Sequence, residues 1–202
     1  MNSSLPFDRF YREHSEKQFS SSLKQFFQSV VLQRLPDPQN VLELGCGNYS
    51  LFEECKLNAK ITAIDFSPVA IDQAPKSNII YQMRSITDEI FFSEGEFDLI
   101  FDSHCMNCLV EHWDRERAFN NIFKTLKNDG IFAGEFMVQP INGKVEVPLK
   151  MIKTARELEE EILSHKFKII YFMISKDSSF VDEANGEKIF CDVLRVMAKK
   201  ES

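Results

Sequence analysis

Two glycines and two carboxylates set out the first chemistry open to this chain. In Glu43-Leu44-Gly45-Cys46-Gly47-Asn48-Tyr49 the glycines let the backbone turn sharply and approach a ligand with no side chain in the way. Asp65 follows Gly45 by 20 residues and ends a second apolar run, Ile61 to Ile64, the place from which a carboxylate accepts both hydroxyls of a ribose. Glycines after a strand usually mark only a turn; joined to Glu43 and Asp65 they make a nucleoside site. A dinucleotide fingerprint would place a third Gly at Tyr49, to allow close helix packing beside a pyrophosphate. Tyr49 therefore argues against a nicotinamide oxidoreductase, and an adenosine without pyrophosphate fits both facts.

A second cluster, Asp102-Ser103-His104-Cys105-Met106-Asn107-Cys108, runs on to His112 and raises the question of zinc. Structural zinc sites usually show paired ligand knuckles in separate segments, whereas Cys105 and Cys108 are one pair on a helical turn, so apolar packing is the better reading and no metal is expected. His104 is different. It follows the fourth predicted strand by two residues, where an acceptor would meet the cofactor, and is the candidate catalytic base. The same histidine could equally be a helix start. Trp113, the only Trp, either walls the acceptor pocket or packs the next helix.

The elements that position these residues alternate. Asp8 to Leu35 lacks Gly and Pro and repeats Phe19, Leu23, Phe26, Phe27, Val30 and Val31 at helical spacing, which predicts one or two helices stopped by Pro36 and Pro38. Strands are predicted at Val41 to Leu44, Ile61 to Ile64, Ile79 to Met83, Asp98 to Asp102 and Ile131 to Met137. Between them fall a helix around Ser50 to Cys55, one capped by Ser67 with Pro68 at its first position, and one from about Asp114 to Leu126. Thr154-Ala-Arg-Glu157 is a capping box for a helix through Leu163, followed by strands Phe167 to Ile174 and Lys188 to Ala198 with a tight turn at Asn185-Gly186. The expected fold is α/β: a Rossmann-like, doubly wound, mostly parallel sheet of about seven strands, the last antiparallel, with helices on both faces.

Composition narrows the classes. With 202 residues, 44% hydrophobic and 27% charged, the chain suits one globular domain. Lys plus Arg is 24 against 31 for Asp plus Glu, a net charge of −7, which makes a nucleic-acid partner unlikely because the densest basic stretch is only Lys166 to Lys168. Five cysteines in a chain without a disulfide-rich composition predict reduced thiols in a cytoplasmic protein. No stretch approaches the roughly 18 apolar residues of a membrane span, and the N-terminus has no apolar signal region.

Val41-Leu42-Glu43-Leu44-Gly45-Cys46-Gly47 and Ile64-Asp65-Phe66-Ser67-Pro68 resemble the glycine and acidic motifs of the class I S-adenosylmethionine-dependent methyltransferases. Phe97 to Ile100 and Leu126 to Phe132 resemble that family's fourth and fifth strand regions, and the likeness covers about Asn40 to Met137. It implies S-adenosylmethionine as cofactor, S-adenosylhomocysteine as product, and a cofactor site made of Glu43, Gly45, Cys46 and Gly47 at the methionine and ribose part, Asp65 on the ribose and Phe66 against the adenine. The acidic residue the family often carries after the third strand is Ser85 here, with Asp88 three residues on, so Ser85 and Ile86 would serve through backbone amide and apolar contact. Asp102 would face the methyl-donor region and Tyr11 would be a lid. One domain is expected over 1-202: a helical cap at 1-38, a cofactor-binding core at 39-137, and acceptor-side elements at 138-202. Methyl transfer to a small molecule is the expected activity, its pocket formed by the aromatic N-terminal segment and the Pro- and Gly-bearing stretch Val138 to Lys153. A protein acceptor, or a non-catalytic regulatory module that binds the cofactor, are the alternatives.

Overall fold

The computed structural model describes residues 4–14, 20–89, 91–141, 143–181 and 187–201. Phe19 and the Asn185-Gly186 turn lie outside the described residues. After α1 (Leu5–Glu13) and α2 (Ser21–Phe26), the chain passes through a π-helical turn (Phe27–Val31) into the short α3 (Leu32–Arg34). It then alternates: β1 (Asn40–Leu44), β2 (Lys60–Asp65), α4 (Pro68–Gln73), β3 (Ile80–Met83), β4 (Phe97–Ser103), α5 (His112–Thr125) and β5 (Leu126–Val138). Helix α6 (Ala155–Ser164) leads into the long β6 (Phe167–Val181) and β7 (Lys188–Lys200).

Seven strands form one sheet in the order β3-β2-β1-β4-β5-β7-β6. The first five pair in parallel, and β7 runs antiparallel to both its neighbours. The strand order reverses between β1 and β4, so the crevice of this doubly wound sheet opens at the carboxyl ends of those two strands.

Each face of the sheet carries its own core, and the two-residue period of the strands decides which side chains enter which. Leu42, Leu44, Ile100 and Phe132 pack with Phe119 and Ile122 of α5 and Leu158 and Ile162 of α6. Val41, Leu99, Phe101 and Ala133, one residue out of phase, pack with Leu23, Phe26, Phe27 and Val31. Caps act where the sequence placed them: the Ser67 hydroxyl accepts from Ala70, and Thr154 and Glu157 complete the capping box of α6.

Three local expectations change. The Ser50 segment is a single 3-10 turn, Leu51–Glu54, capped by Ser50. Helix α5 ends at Thr125, before Leu126, because Leu126 pairs with Phe97 and opens β5; Asp129, at φ 65°, accommodates the register shift that follows. Trp113 is 79% exposed at the start of α5 and neither walls the cavity described below nor packs the helix.

Candidate functional site

A cavity of about 950 Å³ opens over the switch point. Its inner wall comes from residues just beyond β1, β2 and β4, and its outer wall from Phe7, Phe10 and Tyr11 of α1 with Ser22 and Leu23 of α2.

The glycine loop forms one end. Gly45 and Gly47 have φ of 69° and 58°, the left-handed region that glycine enters at little cost. Packing demands glycine as well: a Cβ on Gly45 would meet the Cys105 Cβ at 2.8 Å, and one on Gly47 the Tyr11 hydroxyl oxygen at 2.6 Å. Asp65 accepts from the Gly47 amide at 3.0 Å through Oδ2 and from the Ser67 amide at 2.9 Å through Oδ1. Each oxygen keeps a second lone pair for a ligand hydroxyl. Burial pushes the Asp65 carboxyl up to about 6, against the opposing pull of these amides.

Glu43, on the same pleat face as Val41, accepts from the Ser50 hydroxyl, the Leu51 amide at 3.1 Å and the Ser103 hydroxyl at 2.8 Å. Desolvation raises it to about 7 despite these bonds. Tyr49 lines the cavity and donates its hydroxyl to Glu54 at 2.7 Å.

Phe66 lines the cavity with its ring edge against Phe7, 5.1 Å between centroids. Helix α1 is held down beside it: Ser67 donates its hydroxyl to Asp8 at 2.5 Å, and Gln73 donates to the Tyr11 carbonyl at 2.8 Å. Ser85 and Ile86 are both in the wall, yet the Ser85 amide already donates to the Asp88 carboxylate at 3.1 Å. That amide is therefore already occupied, and Asp88 itself also lines the cavity.

Beyond the glycine loop the cavity wall holds a cluster of which the sequence announced only His104. His104 Nε2 lies 3.2 Å from Glu135 Oε1. Arg195 donates Nε to Glu135 Oε2 at 2.7 Å and Nη1 to the Ser175 hydroxyl at 3.1 Å. The Ser22 hydroxyl reaches the same carboxylate at 3.3 Å. Glu135 is 1% exposed; burial alone would raise its pKa, but the bonds and charges of His104 and Arg195 hold it below the usual carboxylate range. For Glu135 and Arg195 the only hint in the sequence was one carboxylate inside the apolar run Ile131 to Met137 and one guanidinium inside Val193 to Ala198.

Two expected contributors are elsewhere. Asp102 is fully buried and absent from the cavity wall, because β4 sends Leu99, Phe101 and Ser103 to one face and Ile100 and Asp102 to the other. Its Oδ1 accepts from the Met106 amide at 3.1 Å, its Oδ2 has no partner, and burial lifts it to about 7. No described residue of Val138 to Lys153 lines the cavity; Ser178 and Ser179 of β6 and Val193 and Arg195 of β7 do. That loop instead anchors to Asn107, whose amide donates to the Met137 carbonyl at 3.1 Å and the Met151 carbonyl at 3.0 Å.

Residues 42–134 match the family model described as "Methyltransferase domain". That stretch carries the methyltransferase domain, and it is consistent with a class I S-adenosylmethionine-dependent methyltransferase. S-adenosylmethionine is this family's methyl donor, and the methyltransferase motifs occupy the glycine-loop end of the cavity. No curated protein matches the sequence.

Solved structures share the methyltransferase fold at low identity. The 1,6-didemethyltoxoflavin-N1-methyltransferase of Burkholderia thailandensis, bound to 1,6-didemethyltoxoflavin and S-adenosylhomocysteine, is 15% identical with a TM-score of 0.71, covering 100% of this chain and 92% of that one. A phosphoethanolamine N-methyltransferase 2 of Haemonchus contortus, with phosphomonomethylethanolamine and S-adenosylhomocysteine, is 13% identical with a TM-score of 0.70, covering 96% and 57%. The [4+2]-cyclase SpnF is 16% identical with a TM-score of 0.68, covering 88% and 81%.

The residues present suit the donor. The paired glycines bring bare backbone to the cavity, Asp65 offers two carboxylate oxygens, and Phe66 offers an aromatic edge. Among the described residues no helix is long and apolar enough to cross a membrane, and no cluster of three or more His, Cys, Asp or Glu could hold a metal ion.

Proposed function

We propose that the protein transfers a methyl group from S-adenosylmethionine to a small molecule, with His104 as the base. The observation that carries this reading is a single cavity whose walls hold the glycine loop with Asp65 at one end and the His104–Glu135 pair at the other. Ligand pockets span roughly 300–1,000 Å³, so a volume near the top of that range suits two ligands held together.

The donor's sulfonium supplies a methyl group already activated for direct transfer. The chain's own work is to hold both partners in line, keep water out and handle a proton. Asp65 accepts the ribose hydroxyls, Glu43 steadies the loop through Ser50 and Ser103, and Tyr11 with Phe7 and Phe10 closes the outer side. Ser85, Ile86 and Phe66 surround the adenine. His104 stands at φ 69°, a conformation that costs a non-glycine residue about 1–2 kcal/mol and is tolerated chiefly where function requires it.

A small acceptor is favoured over a peptide because α1 and α2 both contribute side chains to the cavity wall. Calorimetric titration with S-adenosylhomocysteine tests the donor half, with Asp65→Ala as control. Label transfer from methyl-tritiated S-adenosylmethionine to a small-molecule extract tests the rest. No binding by the wild type, or label appearing only in protein, would overturn the proposal.

A further inference from the structure

We infer that Glu135 is the positioning residue of the acceptor site: held ionised by Arg195, it fixes His104 with a proton on Nε2 and leaves Nδ1 as the basic nitrogen. This rests on the reading of the cavity as a methyl-transfer site and goes past it by naming the atom that takes the proton.

The geometry argues against a simple staple between strands. Glu135 and Arg195 are direct cross-strand partners on β5 and β7, so a bidentate pair was available to them. Arg195 uses only Nε on Oε2 and sends Nη1 to Ser175, which leaves Oε1 for His104 and Ser22. An ionised carboxylate has no hydrogen to give, so at the 3.2 Å contact the imidazole must donate from Nε2. A neutral imidazole with Nε2–H carries its lone pair on Nδ1. Glu43, Ser103, Glu135 and Arg195 share one pleat parity, so the pair sits on the cavity face.

The acceptor class follows. A base is useful only to a nucleophile that must shed a proton, so the acceptor carries a hydroxyl or a protonated amine. Its O–H or N–H bond breaks, Nδ1–H forms, and the pair left on the acceptor is free to take the methyl group. Glu135 stays ionised and faces the imidazolium until the proton passes to solvent.

The test reads the tautomer of His104 by long-range proton–nitrogen correlation on protein labelled in its four histidines, assigned with His104→Gln, at alkaline pH where an imidazole is neutral. The wild type should show Nε2–H over Nδ1–H by more than about ten to one. In Glu135→Gln, Arg195 can hold only the amide oxygen, so the amide NH2 faces Nε2 and the ring must move its proton to Nδ1. The double variant Glu135→Gln/Arg195→Met frees the amide to turn, and Nε2–H should return. A wild-type ring protonated on Nδ1 overturns the inference whether or not the variants fold, and so does a folded Glu135→Gln that keeps Nε2–H. Binding of S-adenosylhomocysteine to the wild type is read separately. Its absence removes the methyl-transfer reading, while an unexpected tautomer in protein that binds it removes the positioning role alone.

Discussion

The two ends of the cavity handle buried carboxylates in opposite ways. At the donor end no cation among the described residues pairs with Glu43 or Asp65, and burial pushes them up to about 7 and about 6. At the acceptor end Glu135 is buried as deeply, yet Arg195 and His104 draw it below the ordinary range. In the proposed reading the remaining lone pairs of Asp65 at the donor end are met by ligand hydroxyls, whereas Glu43 is already bonded by Ser50, Leu51 and Ser103. The acceptor end is complete within the chain and should resist removal of either member.

Asp65→Ala should have the largest effect on the donor end. Two hydrogen bonds to a charged acceptor are worth about 3 kcal/mol or more together, so the Kd for S-adenosylhomocysteine should rise at least a hundredfold by calorimetry. Asp65→Asn at pH 8 should cost the unliganded protein about 1–2 kcal/mol, because the lost charge is one that burial disfavours while the new amide NH2 can no longer accept from one of the two backbone N–H groups. Arg195→Met should cost more, about 3 kcal/mol or more in urea unfolding, by leaving Glu135 buried and uncompensated. Equal stability losses for Asp65→Asn and Arg195→Met would break the contrast.

Gly47→Ala should weaken binding by about tenfold, because φ 58° costs a side chain about 1–2 kcal/mol and the new Cβ meets the Tyr11 hydroxyl. Adding Tyr11→Phe should recover the part due to the clash and not the part due to φ.

The smallest effect is a slope with pH. Carboxyls raised in the folded state bind protons that the unfolded chain has released, so unliganded stability should be full below about pH 4 as far as Glu43 and Asp65 are concerned and decline as pH rises through about 6 to 7. Glu135 has the opposite sign: its contribution is present above the ordinary carboxylate range and is lost as pH falls through its lowered pKa. Hydroxyl donors favour ionised Asp65, so the Kd for S-adenosylhomocysteine should tighten as pH rises through about 6, and Asp65→Asn should abolish that dependence.

Most of the strands, the caps and the position of the glycine loop were readable because their signals are local. Gly45, Gly47 and Glu43 lie within one strand and its loop, and Asp65 ends the next strand, where parallel pairing to β1 places it by register. Caps at Ser67 and Thr154 are read from four residues at a time. Asp102 shows where local reading stops. Its position at the end of β4 was legible, but which face it served depended on the pleat phase, and that phase turned it away from the cavity toward Met106.

By itself the sequence determined the alternating architecture, the family motifs and the place of Asp65 at the end of the second strand, since hydrophobic period, caps and glycine turns act over a few residues. Only the tertiary structure decided the acceptor end. His104 and Glu135 are 31 residues apart, Glu135 and Arg195 are 60, and Ser22 and Glu135 are 113. The physical reason is that four segments meet there through sheet register and one shared parity. Neither quantity is written in any one of them.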